Sequence, residues 1–299
     1  MDSPYTKYAK EKERGDAMAP MGVRMTRRLT CLLLPGLLLA TAQPSRAAGL
    51  FDEIKQKGVV SVATEAAYPP FEFVQDGKIV GYDEDLLHAI VAGWGVKLEQ
   101  VDVPFSGILV GLDQKKYDFV CTGMIMNHDR VVKYAFTAPV AAAPVALLRR
   151  IGDTKVKSTA DLTGLVVGSP VPPSGPAAVF DSYNGTLGAK AAAKVMRFQS
   201  SPDSLLALAN HQVDAIVDTT LVFDKYMSEH PGKFEVAGTI GTPFYYGWAT
   251  RAGDLDLRQA INDQLAILRK DGTMAKLQKK WFGYVMDLPD KDYLPPGGI

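Results

Sequence analysis

A guanidinium presents a planar fork of donors that meets a carboxylate through two parallel hydrogen bonds. Arg130 could serve this way: it follows the Gly123 loop at the expected start of a helix, where backbone N–H groups favour an anion. Tyr68 lies in a turn-rich stretch just before Pro69-Pro70, a setting that offers an aromatic face to a ligand rather than to a core. Glu65 and Asp218 are the carboxylates from which cleft acid–base chemistry could be built, although no motif singles them out for it. Metal chemistry finds no support. His88, His128, His211 and His230 are scattered without ligand spacing, and Met124 and Met126 flank Ile125 with no further soft donor. No cofactor is expected.

The elements that must hold these residues alternate between short apolar runs and helical periodicity from residue 58 onward, the pattern of an α/β chain. Strands are expected at Val59–Ala63, Lys97–Val103 and Asp118–Thr122, with Gly123 just after the last. Asp83 is expected to cap a helix with Leu86, Leu87, Ile90, Val91 and Trp94 on one face, and Ser106 to open another. A second unit begins near Val140, with strands at Val145–Leu148, Leu165–Gly168, Val195–Phe198 and Val213–Val217. Thr159–Thr163 reads as a short helix, and Ser201-Pro202 as the cap and first residue of a longer one. Tyr245–Thr250 leads back to helices over Asp256–Lys270 and Met274–Trp281. Polar and aromatic residues follow the strands of both units, and open α/β sheets bind ligands beyond the strands' carboxyl ends, which points to a cleft between the two.

Composition agrees with a globular protein: 299 residues, 47% hydrophobic and 22% charged, enough for one large or two moderate domains. Net charge is zero, but residues 1–47 hold eight Lys/Arg against four Asp/Glu, leaving the remainder about four negative. Such a body has no electrostatic footprint for nucleic acid. Arg24, Arg27 and Arg28, the apolar run Cys31–Ala40 and the small residues Ser45 and Ala47 read as an export signal cleaved after Ala47. The run is shorter than the roughly 20 residues that span a bilayer. Met21 or Met25 is a candidate true start. Removal of the signal takes Cys31 with it and leaves Cys121 alone, so no internal disulfide is expected.

A set of motifs in a fixed order carries a family resemblance. These are Thr64–Phe73, Gly81-Tyr-Asp-Glu-Asp-Leu86, Phe105-Ser-Gly-Ile108, the Gly123–Arg130 segment, Asp161-Leu-Thr-Gly164, Val213-Asp-Ala-Ile-Val217 and Lys280-Trp-Phe-Gly283. Over roughly residues 58–283 the chain resembles the polar amino-acid-type periplasmic solute-binding proteins of ABC importers, family 3. The resemblance implies a two-lobed, type II periplasmic binding protein-like α/β fold with two hinge crossovers. Its first lobe would combine 48–139 with 247–299, and its second would hold 140–246. Hinges would lie near Val140–Pro144 and Thr242–Tyr246, and the lobes would close on ligand. It also implies that Arg130 holds a ligand carboxylate, that Tyr68 and Phe105 line the cleft, and that Glu65 reaches the ligand's amine or side chain. Thr122 and Gly123 would offer a hydroxyl and a carbonyl; Gly123 could equally be conformational.

The departures from that pattern concern the ammonium. Ile125 stands where a Ser or Thr hydroxyl usually meets it, keeping only a backbone N–H for a carboxylate. Asp218 comes one place early, with Thr219 at the expected position. The second lobe's anion loop is Ser169-Pro-Val-Pro-Pro-Ser-Gly175, whose prolines remove donors and leave Ser174 and Gly175. An ammonium buried without an acceptor costs several kcal/mol. Either Asp218, Glu65 or Thr219 supplies the contact, or the ligand lacks an α-ammonium.

The expected function is therefore a periplasmic, monomeric binding component that captures a small carboxylate-bearing, amino-acid-like solute and delivers it to the membrane permease of an ABC importer, without catalysis. The alternatives are an exported dehydratase-like enzyme on the same fold, a binder of a non-amino organic acid, and a sensor domain. The last is disfavoured by the absence of a span in the mature sequence.

Overall fold

The computed structural model describes residues 49–289. The expected export segment, its cleavage position and Cys31 lie outside the described residues. Helix α1 (Leu50–Lys57) places Asp52 and Glu53 in its first turn and Lys55 and Lys57 in its last, opposing its macrodipole, and Gly58 ends it in the left-handed conformation. Strand β1 (Val59–Thr64) follows. A small antiparallel sheet of β2 (Ala67–Tyr68), β3 (Glu72–Gln75) and β4 (Lys78–Val80) then leads into α2 (Tyr82–Trp94). Strand β5 (Lys97–Asp102), helix α3 (Phe105–Asp113), strand β6 (Phe119–Ile125), the short α4 (His128–Val131) and β7 (Tyr134–Phe136) complete the first pass.

Strand β8 (Ala141–Arg150) begins the second lobe, followed by β9 (Val166–Pro170), α5 (Gly175–Thr186), β10 (Lys194–Phe198), α6 (Ser201–Ala209), β11 (Ala215–Thr219) and α7 (Thr220–Glu229). The long β12 (Phe234–Arg251) returns to the first lobe, which α8 (Leu255–Lys270) and α9 (Thr273–Phe282) close. Nine strands among the described residues form one continuous sheet, because β8 and β12 run through both lobes. In the first lobe β5, β1 and β6 are parallel, and β12 pairs antiparallel with β6 and β7. In the second, β10, β9 and β11 are parallel, and β8 lies antiparallel between β11 and β12. The β8–β12 register shifts between Val236 and Gly238 and again between Ile240 and Phe244. Every residue of β6 is buried, as expected of a central strand covered on both faces.

Several local expectations change. The cap of α2 is Gly81, not Asp83. The N–H groups of Tyr82 and Asp83 are already taken by the carbonyls of Pro70 and Phe71, both at 2.9 Å, so no side-chain cap is needed. Gly81 has φ 144°, and a Cβ there would stand 2.0 Å from the Phe71 carbonyl oxygen, so the position admits only glycine. Asp83 is instead buried beside Glu72. Thr159–Thr163 is a turn rather than a helix, with the Asp161 carboxylate accepting the Thr163 N–H at 3.1 Å. Ser200, one residue earlier than expected, caps α6 by accepting the Asp203 N–H. Strand β6 continues through Gly123, and helix α3 begins at Phe105 rather than Ser106. Helices α1, α5 and α7 and the β3–β4 hairpin were not expected; α5 and α7 begin directly from the loop and strand that supply site residues.

Candidate functional site

The carboxyl ends of parallel strands from both lobes converge on one cavity, as the crevice rule for open α/β sheets requires. From the first lobe Glu65 follows β1, Tyr68 lies in β2, Phe105 opens α3, and Gly123 and Ile125 end β6. From the second, Pro170 ends β9 and Val171 follows it, Ser174 caps α5 and Gly175 and Pro176 start it, Gln199 and Ser200 precede α6 and Ser201 opens it, and Asp218 lies in β11. The cavity measures about 40 Å3. Pockets that hold drug-sized ligands reach ~300–1,000 Å3, so the space left between these residues is small.

The wall is acidic. The Asp218 carboxylate is 1% exposed and accepts the Ser201 hydroxyl at 2.5 Å, the Thr219 N–H at 2.8 Å and the Tyr68 hydroxyl at 3.4 Å. Burial pushes its pKa up to about 6 against the opposing pull of those donors. Glu65 is pushed up to about 8, first by burial and then by the charges of Asp218 and Asp102, while a backbone hydrogen bond from Phe105 works the other way. Neither carboxylate forms an ion pair with a described side chain.

Arg130 is not among the cavity-lining residues. It is 5% exposed and stands behind two of them: its guanidinium lies 5.3 Å from the Phe105 ring centroid, and Nη1 donates to the Ile125 carbonyl at 2.9 Å. Nη2 donates to the carbonyl of Pro173, in the opposite lobe. Burial lowers its pKa to about 10, which leaves it charged at neutral pH. No described carboxylate pairs with it, so the lining holds two carboxyl groups, Asp218 and the raised Glu65, without a cation, while the cation behind it meets carbonyls and the Phe105 ring.

The other expected residues divide. Ser174 lines the cavity, though its hydroxyl is also the cap of α5, accepting the Ala177 N–H at 3.3 Å. Gly123 lines it without any unusual backbone angle. A Cβ there would meet the Tyr68 and Phe71 rings at 3.0 Å, so this glycine serves close packing rather than a turn. Thr122 and Thr219 do not reach the cavity. Thr122 is fully buried and donates to the Glu72 carboxylate; Thr219 is fully buried as the residue preceding α7. Burial holds both Glu72 and Asp83 above the ordinary carboxylate range; the Asp83 charge raises Glu72 further, whereas hydrogen bonds to Trp248 and Glu72 pull Asp83 back down. His128 is exposed, Met124 and Met126 pack in the core, and no group of three or more metal-ligating side chains occurs among the described residues.

Sequence reasoning missed Gln199, Ser200 and Ser201. The signal was present in Ser200-Ser201-Pro202: Pro202 fixes where the helix begins, and a second serine beside the cap is free to face the strand ends.

Comparison with known proteins accords with this architecture. The L-cystine-binding protein TcyJ of Escherichia coli (strain K12) is 28% identical over 237 residues, covering 79% of this chain and 86% of that protein. A probable amino-acid ABC transporter-binding protein of Haemophilus influenzae is 26% identical over 258 residues, covering 85% and 96%. The structure of an ancestral arginine-binding protein bound to arginine superposes with a TM-score of 0.69 at 33% identity, covering 76% of this chain and 99% of that one. The family match runs over residues 60–284, from β1 to just beyond α9, and the chain belongs to the bacterial extracellular solute-binding proteins, family 3.

Proposed function

We propose that the chain is the amino-acid-binding component of an ABC importer, holding its ligand between lobes that hinge along β8 and β12. The observation that carries this reading is charge separation in the cleft: Asp218 and Glu65 on the wall without a counter-cation, and Arg130 behind it without a counter-anion. A ligand ammonium completes the first and a ligand carboxylate the second, with Tyr68 and Phe105 covering the aliphatic part between them. The named relatives are all binding proteins, of cystine, arginine or amino acids, which supports capture without turnover. The lobe boundaries at 139/140 and 246/247, export to the periplasm by a cleaved signal, a monomeric state and delivery to a membrane permease belong to the same proposal.

Charge balance narrows the ligand. With Glu65 neutral near pH 7, Asp218 and Arg130 together match a zwitterion; with Glu65 ionised, they match a ligand carrying one extra positive charge. A thermal-shift and calorimetric panel tests the reading, using arginine, cystine, alanine, α-keto acids and small dicarboxylates. Amino acids are expected to stabilise the protein and the acids lacking an amine are not; stabilisation by keto acids alone would reverse the assignment of the acidic wall.

A further inference from the structure

Glu72 and Asp83 are fully buried, lie outside the cavity lining and have no part in the recognition described above. Glu72 belongs to β3, in the small sheet that carries Tyr68, and it is the register partner of Tyr68 across β2 and β3. That sheet is not strand-paired to the nine-stranded sheet, whose β6 brings Gly123 and Ile125 to the cavity. The Glu72 carboxyl joins the two, accepting the Thr122 hydroxyl and the Gly123 N–H from β6. The junction is tight at this point. A Cβ on Gly123 would stand 3.0 Å from Tyr68 Cε1 and 3.0 Å from Phe71 Cγ, and the Tyr68 and Phe71 rings stack with centroids 5.2 Å apart.

Asp83 supplies the other half of the arrangement from the first turn of α2. Its carboxyl meets Glu72 and the Trp248 indole N–H, and the second Glu72 oxygen and both Asp83 oxygens have no further described partner. The other charges acting on the two are themselves carboxylates, Glu65 and Glu84, and no cation is among them. Two carboxyls in contact without a cation do not both ionise, so the pair keeps a proton. Glu72 thereby holds β6 on one side and α2 on the other. Helix α2 is fixed to the same segment through the Tyr82 and Asp83 N–H groups, which donate to the Pro70 and Phe71 carbonyls at 2.9 Å.

We infer that Glu72 is a positioning residue for ligand recognition, clamped between Asp83 and the end of β6 so that it sets where the Tyr68 ring and the Gly123 backbone stand in the cavity wall. It touches no ligand; it holds two wall residues from different sheets against each other. Without its carboxyl the Gly123 N–H and the Thr122 hydroxyl lose their acceptor in a buried setting, and the sheet that carries Tyr68 is free to shift against β6. The inference rests on the cleft as the ligand site.

The test follows arginine affinity by calorimetry and the Tyr68 ring by fluorine NMR of protein carrying 3-fluorotyrosine, with the resonance assigned through Tyr68→Phe. Glu72→Gln keeps an acceptor for β6 and turns an amide N–H to Asp83. It is expected to bind arginine within about twofold of the unsubstituted protein and to leave the Tyr68 resonance in place. Glu72→Leu keeps bulk without polar atoms. It is expected to bind roughly tenfold more weakly, the scale of a buried donor left unpaired, and to move or broaden the resonance in the absence of ligand. Thr122→Val is expected to act in the same direction and Thr122→Ser to restore both readouts, which carries the test if Glu72→Leu does not fold. A purely structural role would lower the Tm of Glu72→Leu and Thr122→Val while leaving resonance and affinity unchanged, and that result overturns the inference. An equal loss in Glu72→Gln and Glu72→Leu overturns it too. If arginine binds no form of the protein while the resonance behaves as stated, the proposed function fails and the positioning of Tyr68 stands.

Discussion

The Ser201 hydroxyl donates to Asp218 Oδ2 at 2.5 Å, so that the residue after a helix cap steadies the carboxylate on the cavity wall. This bond opposes the burial that raises Asp218 to about 6. Ser201→Ala is expected to move that pKa further up and to weaken arginine binding at pH 7 about tenfold, the scale of one hydrogen bond to a charged group. The loss should shrink as pH rises, which calorimetry at pH 6, 7 and 8 reads directly. A loss independent of pH would mean that Ser201 acts through packing.

Asp218→Asn removes the acceptor of the ligand ammonium while keeping its shape. Arginine affinity is expected to fall by about 2–5 kcal/mol, as when one member of a buried charge pair is truncated. Glu65→Gln should do less at pH 7, where Glu65 is largely protonated, and more at pH 9. The ratio of arginine to alanine affinity is therefore expected to rise between pH 7 and 9 in the unsubstituted protein and to stay flat in Glu65→Gln. A flat ratio in both would remove Glu65 from recognition.

Ligand-free stability should run opposite to affinity. Glu65, Asp218 and the Glu72–Asp83 pair all have raised pKa values, so between about pH 4 and pH 8 the folded chain holds protons that the unfolded chain releases. Their contribution to stability is full below pH 4 and is lost as pH climbs through about 6 and then about 8. The Tm without ligand is expected to fall across pH 5.5–8.5 and the increment added by arginine to grow. Glu72→Gln should flatten the ligand-free profile without touching the cavity wall.

Gly81→Ala tests the first lobe's framework. The φ of 144° and the 2.0 Å approach to the Phe71 carbonyl leave no room for a methyl group. A destabilisation of about 3 kcal/mol or more is expected in denaturant unfolding, beyond the range of surface substitutions. Gly107, whose Cβ would meet open space, is the control.

The sequence by itself determined the α/β class, most of the strands and the position of Asp218 at a strand end, while the places of Tyr68, Phe105 and Glu65 at the cavity were implied by the family resemblance. The first three properties follow from local periodicity, turn residues and strand ends, which a linear pattern records. It could not decide that Asp83 would abandon a helix cap for the core, since the Pro70 and Phe71 carbonyls that replace it come from a preceding segment folded back. Nor could it place Arg130, one of whose acceptors, the Pro173 carbonyl, is brought to it from a distant part of the chain. Thr122 and Thr219 are site candidates by the family pattern, but Thr122 turns onto the buried Glu72 carboxylate and Thr219 is fully buried. Whether a glycine bends the chain or admits a neighbour is likewise settled only in three dimensions: Gly123 and Gly175 have ordinary backbone angles, and what each requires is space for a ring or an isoleucine brought from elsewhere in the chain.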